Sequence, residues 1–222
     1  DTTKAIIETA DGDVARLIAI NGSPLPPDAD QAELDRLNTL AQHPELQQRR
    51  HNAEQKDADQ VNHLLSLLPD ALLYTYAGTL PCAVVQCIRL TFTPNPRFNP
   101  PNLEANVLRG IAGELWIGQT QNQLIRLDVH FIADVDFGFG LLARLNKGST
   151  ALLEQANVGD GDWELTTVNI HVTGKALLVR AVREQVDQSL SHFTPVAPNL
   201  RCRDAIALLK QLDPTHPNAG LR

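Results

Sequence analysis

The chain has 222 residues, 43% of them apolar, enough for one sizeable core at a length usual for a single all-β domain. Its formal net charge of −7 is spread among scattered Lys and Arg residues, which argues against a nucleic-acid backbone or an anionic membrane surface as a partner. No apolar run approaches the roughly 18 residues that a membrane-spanning helix needs, which argues against an integral membrane protein.

In chain order, residues 3–9 and 13–20 read as two short strands, with Asp11-Gly12 as the hairpin turn between them and Asn21-Gly22-Ser23-Pro24 closing the second. Residues 28–68 change to a helical period. Leu34, Leu37, Leu40 and Ala41 share one face, and Asp28 and Asp30 suit the helix start. Pro44 breaks the helix and opens a second one, because the residue before a proline is pushed out of the helical region. That second helix is polar through Asn52–Gln60 and then turns Val61, Leu64, Leu65 and Leu68 to one side, with Pro69-Asp70 as its stop.

From residue 72 to residue 193 the period is two. Strands read at 72–79, 84–93, 112–118, 123–137, 149–158, 162–173 and 175–190. In the fourth, Ile125, Leu127, Val129, Phe131, Ala133, Val135 and Phe137 alternate with Arg126, Asp128, His130, Asp134 and Asp136, as one buried and one wet face require. Turns at Gln119–Asn122, Gly159–Asp162 and Thr173-Gly174-Lys175 make consecutive strands antiparallel neighbours. Pro94–Pro101 is irregular, and Asn102 caps a short helix to Leu108. A closing amphipathic helix spans Leu200 to Leu212, and residues 214–222 read as a disordered tail.

These elements give a mainly β, α+β fold: a curved antiparallel sheet whose apolar face is covered by helices. They form one domain over residues 1–213, with 28–68 as a helical insertion. If the helices fill the concavity, the result is a core; if they leave a gap, the gap suits an acyl chain. No Met opens the chain, so a leading segment has been removed, either an excised signal peptide or a trimmed boundary. Whether a lipid anchor precedes residue 1 is open. Among Cys82, Cys87 and Cys202, a bridge from Cys202 back to Cys82 or Cys87 competes with three reduced thiols.

No catalytic or metal constellation emerges, and no cofactor is implied. His130 beside Asp128, with His171 on another strand, is the nearest approach to a metal or acid–base site, but exposed histidines are the simpler reading. Asp134 and Asp136 are paired carboxylates that more simply flank a strand bend. Ser189, Ser191 and His192 are too close in sequence to form a triad. Arg126 opposite acidic neighbours reads as a cross-strand ion pair. Trp116 in its alternating strand reads as a core aromatic or a pocket wall. Gly138 and Gly140 around Phe139 permit a sharp bend.

The run Val107-Leu108-Arg109-Gly110-Ile111-Ala112-Gly113-Glu114-Leu115-Trp116-Ile117 is followed by Gln123–Asp128, Asp134–Leu142, Lys147-Gly148, Trp163-Glu164, His171–Leu177 and Phe193–Val196. Over residues 70–212 this string resembles uncharacterised bacterial envelope proteins related to the outer-membrane lipoprotein-carrier (LolA/LolB-like) superfamily. The resemblance implies an unclosed β-barrel whose apolar side is covered by helices. It further implies an exported protein of the periplasm or cell envelope that binds a lipid, an acyl chain or a lipoprotein without catalysis. On that reading Trp116, Phe131, Phe137, Phe139, Leu64 and Leu68 contact the ligand. The alternative is a structural or protein-interaction module with a filled core, acting through an exposed strand edge or its wet sheet face. Pro94–Pro101 and the long helical insertion depart from the carrier pattern.

Overall fold

The computed structural model describes residues 1–213 apart from 83–84, 121, 138–142, 160 and 177–179. Phe139, its flanking Gly138 and Gly140, and the tail 214–222 lie outside the described residues. The chain packs as two compact units, one formed by Asp1–Val61 with the chain from His192 onward, the other by Asn62–Ser191. The single domain expected over 1–213 spans both.

The first unit contains an antiparallel sheet of β1 (Thr2–Ile7), β2 (Val14–Ile20) and β3 (Ser23–Pro24). Gly12, at φ 99°, supplies the left-handed turn residue between β1 and β2. Asn21 and Gly22, at φ 50° and 75°, make the reversal into β3. Helix α1 (Pro27–Gln42) and helix α2 (Pro44–Ala71), which belongs to this unit as far as Val61 and to the second unit from Asn62, are separated at Pro44 as the sequence requires, and α3 (Cys202–Gln211) closes the first unit. Leu37 of α1 meets Ile7, Val14, Ala205, Ile206, Leu209 and Leu212 in one buried cluster.

Arg16 is 2% exposed within this unit. Its Nη1 donates to the carbonyls of Leu209 and Leu212 at 2.7 and 2.9 Å, and its Nη2 pairs with Asp30 at 2.8 Å. The cation thus binds two carbonyls at the α3 C-terminus, where the helix dipole favours positive charge.

Helix α2 runs through Pro69 to Ala71, two residues beyond the expected stop. A proline so near the end removes a single helical hydrogen bond, so the helix continues past it. Of the expected insertion, Leu67 and Leu68 pack against the core of the large sheet, joined there by Ala71.

The second unit is built on β4 (Leu72–Cys82), β5 (Val85–Pro94), β6 (Ile111–Gly118), β7 (Leu124–Phe131), β8 (Val135–Phe137), β9 (Ala143–Leu145), β10 (Thr150–Gly159), β11 (Asp162–Ala176) and β12 (Arg180–Ser189). The order is β4-β5-β6-β7-β10-β11-β9-β8, with β12 on the other edge of β11, and every pairing is antiparallel. The sheet is not closed into a barrel. A 3-10 helix, Glu104–Arg109, follows the proline segment, and Asn102 Oδ1 accepts from the Ala105 amide at 2.9 Å.

Several strand boundaries differ from the sequence reading: β4 extends three residues beyond 79, β12 begins at Arg180, and β9 is an additional strand; two further differences have a clear physical cause. The long strand 123–137 is split into β7 and β8: the Ile132 amide still donates to the Gly110 carbonyl at 2.8 Å, one step further in the β6–β7 register, but the Gly110 amide turns back to the Val107 carbonyl at 3.1 Å and the pairing ends there. Ile132, the one apolar residue out of step, is 42% exposed at that break. The expected reversal at Thr173-Gly174-Lys175 is absent, and β11 runs on through Gly174. A Cβ on Gly174 would strike the backbone oxygen of Arg144, so glycine is needed for the close approach of β9 rather than for a turn.

The disulfide also differs from the long-range pairing considered above. Cys82 and Cys87 are bridged within the β4–β5 hairpin, and Cys202 is free. Their Cα atoms are 5.9 Å apart, inside the range a bridge requires, because Leu80 pairs with Cys87 and Cys82 with Val85 at the hairpin end. Among the described residues no helix is long and apolar enough to cross a membrane.

Candidate functional site

Alternation gives the large sheet two chemically distinct faces. On the polar face, register aligns Arg89 with Trp116, Trp116 with Arg126, and Arg126 with Glu154 across β5, β6, β7 and β10. The Arg126 guanidinium lies 5.2 Å from the Trp116 ring centroid and bonds to Asp128 and Glu154. Trp116 Nε1 donates to Glu114 at 3.0 Å, and Arg89 Nε donates to the same carboxylate at 2.8 Å. Burial opposes the charge of Arg126, but its two carboxylate partners outweigh that and hold its pKa above the ordinary value. The expected cross-strand ion pair is therefore present, as one part of a ladder that leaves each charge partnered.

Beside the ladder lies an open depression of about 550 Å³, bordered by Thr91, Thr93, Ala112, Glu114, Asp128 and His130. On this face Ala112 presents almost no side chain, while Gly113 next to it faces the core. A Cβ on Gly113 would strike the Asp128 carbonyl oxygen and the Phe92 ring, so the strands approach too closely for a larger residue. His130 and His171 share the row through Thr150, two strand spacings apart, or about 10 Å. That is beyond joint ligation, and His171 instead bonds to Asp187 at 2.9 Å. Asp134 and Asp136 both pair with Arg144, and Asp134 also accepts the Lys147 amide at 2.7 Å, so both brace the bend.

The apolar face is uneven. From β4 to β7 it is a packed core in which Leu72, Phe92, Leu108, Ile111, Leu115, Phe131 and Val135 are buried against Leu67, Leu68 and Ala71. Across β10, β11 and β12 the same face carries Ala151, Leu153, Val168, Ile170, Val172, Val182 and Val186, placed there by their register with Val129 and Leu127. Every one of these seven is only partly buried, and none belongs to a buried cluster. Glu184 and Gln188 of β12 stand exposed at the rim of this apolar row.

No family model, curated protein or solved structure matches this chain.

The residues expected to share a ligand pocket are dispersed. Phe131 is 8% exposed and belongs to the packed core. Phe137 and Leu68 are partly buried against that same core. Trp116 stands on the opposite, polar face, because it is out of phase with Leu115 and Ile117 of its own strand. Leu64 is partly buried outside the core cluster, and Phe139 lies outside the described residues. The half-exposed row on β10–β12 was the part missed. Its alternation is legible in residues 149–158 and 162–173, but alternation does not report which half of a sheet is covered.

The first unit holds a second concavity of about 260 Å³, bordered by Asp11, Leu40, Pro44, Gln47, Arg201 and Cys202. Asp11 accepts from Arg201 Nη1 at 2.7 Å and from the Cys202 amide at 3.2 Å. Burial, with the Asp11 carboxylate adding to it, pushes the Cys202 thiol above its ordinary pKa. A thiol kept protonated is a poor nucleophile, so this cysteine is not set up for covalent catalysis.

Proposed function

We propose that this protein binds the acyl chain of a lipid or lipoprotein, without catalysis, along the half-exposed apolar row of β10, β11 and β12. The observation that carries the reading is the row itself: seven aliphatic residues on three adjacent strands, continuous with a core yet left partly open. The resemblance to lipoprotein carriers agrees with it, and the Cys82–Cys87 bridge suits an oxidising compartment such as the periplasm. The contacts are then Leu153, Val168, Ile170, Val172, Val182 and Val186 in place of Trp116 and Phe131.

Magnitudes restrict the ligand. Each buried methylene contributes about 0.8 kcal/mol. Micromolar binding needs about 8 kcal/mol, beyond an association cost of at least about 4 kcal/mol. The sum calls for about fifteen methylenes, so a palmitoyl chain suffices and an octanoyl chain does not. The test is titration with a fluorescent long-chain fatty acid. Saturable uptake, displaced by palmitate but not octanoate and abolished in Ile170→Asp, is expected. Uptake unchanged in a folded Ile170→Asp protein would remove the row from the site.

A second reading, the interaction module with a filled core, is favoured by the packing around Phe131. It expects no uptake of any acyl probe by the parent protein.

A further inference from the structure

Two edge strands of the large sheet, β12 and β4, are built oppositely. β12, which among the described residues pairs only with β11, carries Arg180, Arg183, Glu184 and Asp187 in ten residues. Charges on an edge strand are a common protection against pairing with another chain. β4, which among the described residues pairs only with β5, is eleven residues long, Leu72-Leu73-Tyr74-Thr75-Tyr76-Ala77-Gly78-Thr79-Leu80-Pro81-Cys82, without one charged side chain. Residues 73–77 are exposed without interruption, with Leu73 at 52%, Tyr74 at 37% and Tyr76 at 64%. Beyond them the register shifts between Tyr76 and Thr79, Gly78 takes φ 106°, and Pro81 lacks a donor. The regular, unprotected part of the edge is therefore Leu73–Ala77.

That segment is symmetric about Thr75. A two-fold axis through Thr75 sets Tyr74 of one chain opposite Tyr76 of the other on one face, and Leu73 opposite Ala77 on the other face. Aromatic pairs facing across strands stabilise a ladder, and an isologous interface needs this kind of self-complementarity. The absence of charge matters as much. Two copies of a chain with net charge −7 repel, and a segment with no carboxylate is where they can approach most closely.

We propose that β4 is an interface and that its occupant is the β4 of a second copy of this chain, paired antiparallel across a two-fold axis at Thr75. The pairing continues the sheet from one protomer into the next through main-chain hydrogen bonds, with the Tyr74–Tyr76 pairs covering one side. It involves none of the residues of the apolar row, so it holds or fails independently of acyl binding.

The test exploits the axis. Thr75→Lys and Thr75→Glu each bring like charges face to face at the two-fold, whereas a mixture of the two variants brings opposite charges together. Mass is measured by sedimentation equilibrium at high micromolar concentration, with circular dichroism confirming the fold. Substitution at an exposed strand position leaves the packed core intact. The parent is expected at twice the chain mass, each variant alone at half the parent's value, and the equimolar mixture back at twice the chain mass. A monomeric parent overturns the proposal, including the case in which β4 receives an extended peptide from another protein. Dimeric single variants place the contact elsewhere, and a mixture that stays monomeric removes the axis from Thr75.

Discussion

The apolar side of the large sheet from β5 to β7 and its continuation from β10 to β12 are written in the same code and end in different states. Both alternate aliphatic and polar residues, and direct register joins them: Leu127 faces Leu153 and Val129 faces Ala151. In the first half the row is closed by the end of α2, by Leu108 and by Val135. In the second half it is left partly open. Strand periodicity determines which side chains share a face; what lies over that face is determined by distant segments. An open apolar face is the more informative of the two, because a protein that needed only a core has no use for it.

The comparison is tested most severely in the closed half. Phe92→Ala removes a 2% exposed ring at the centre of the packed core, and denaturant unfolding should show a loss of about 3–5 kcal/mol. Gly113→Val comes next. Its new side chain meets the Asp128 carbonyl and the Phe92 ring, and forced overpacking of this kind costs about 1–3 kcal/mol or more. In the open half, Ile170→Asp should change stability by less than about 1 kcal/mol, since the residue is already partly hydrated, while acyl uptake is lost. A large stability loss at Ile170 would show that the open half is closed in solution.

The smallest effect is electrostatic. Gln185 and His171 hold the exposed Asp187 carboxyl below its ordinary value near 3.8. A depressed carboxylate contributes stability that is present above that value and lost as pH falls through its folded one. Asp187→Asn should therefore flatten a slight acid-side decline in stability, measured by melting between about pH 5 and pH 2. Solvent screening keeps the change small, and no shift at all would mean that the β11–β12 pairing does not hold this pair together.

Much of this architecture was legible in the sequence, and the failures have physical causes. The strands β1, β2, β5, β6 and β10, the break at Pro44 and the closing helix rest on local periodicity and proline geometry, which distant contacts rarely override. Gly174 was misread because a glycine needed for close strand approach looks the same in sequence as one needed for a turn; its neighbour Arg144 lies thirty residues away. The split between β7 and β8 depends on the Gly110 amide turning back to Val107 at the end of the 3-10 helix, and the Cys82–Cys87 bridge on the register of one hairpin. The site suffered most. Trp116 and Phe131 are both aromatic strand residues, but the register of β6 against β7 puts them on opposite faces, and composition carries no register. The half-exposed row could be read as alternating, but not as uncovered.

The central claim is that the ligand lies along β10–β12. Photo-crosslinking with a palmitic acid analogue carrying a photoactivated group near the end of its chain, followed by peptide mapping, addresses it directly. The account expects adducts within residues 151–153, 168–172 and 182–186, and their loss when unlabelled palmitate competes. Competed adducts confined to residues 64–92, or no competed adduct in a protein that remains folded, would contradict it.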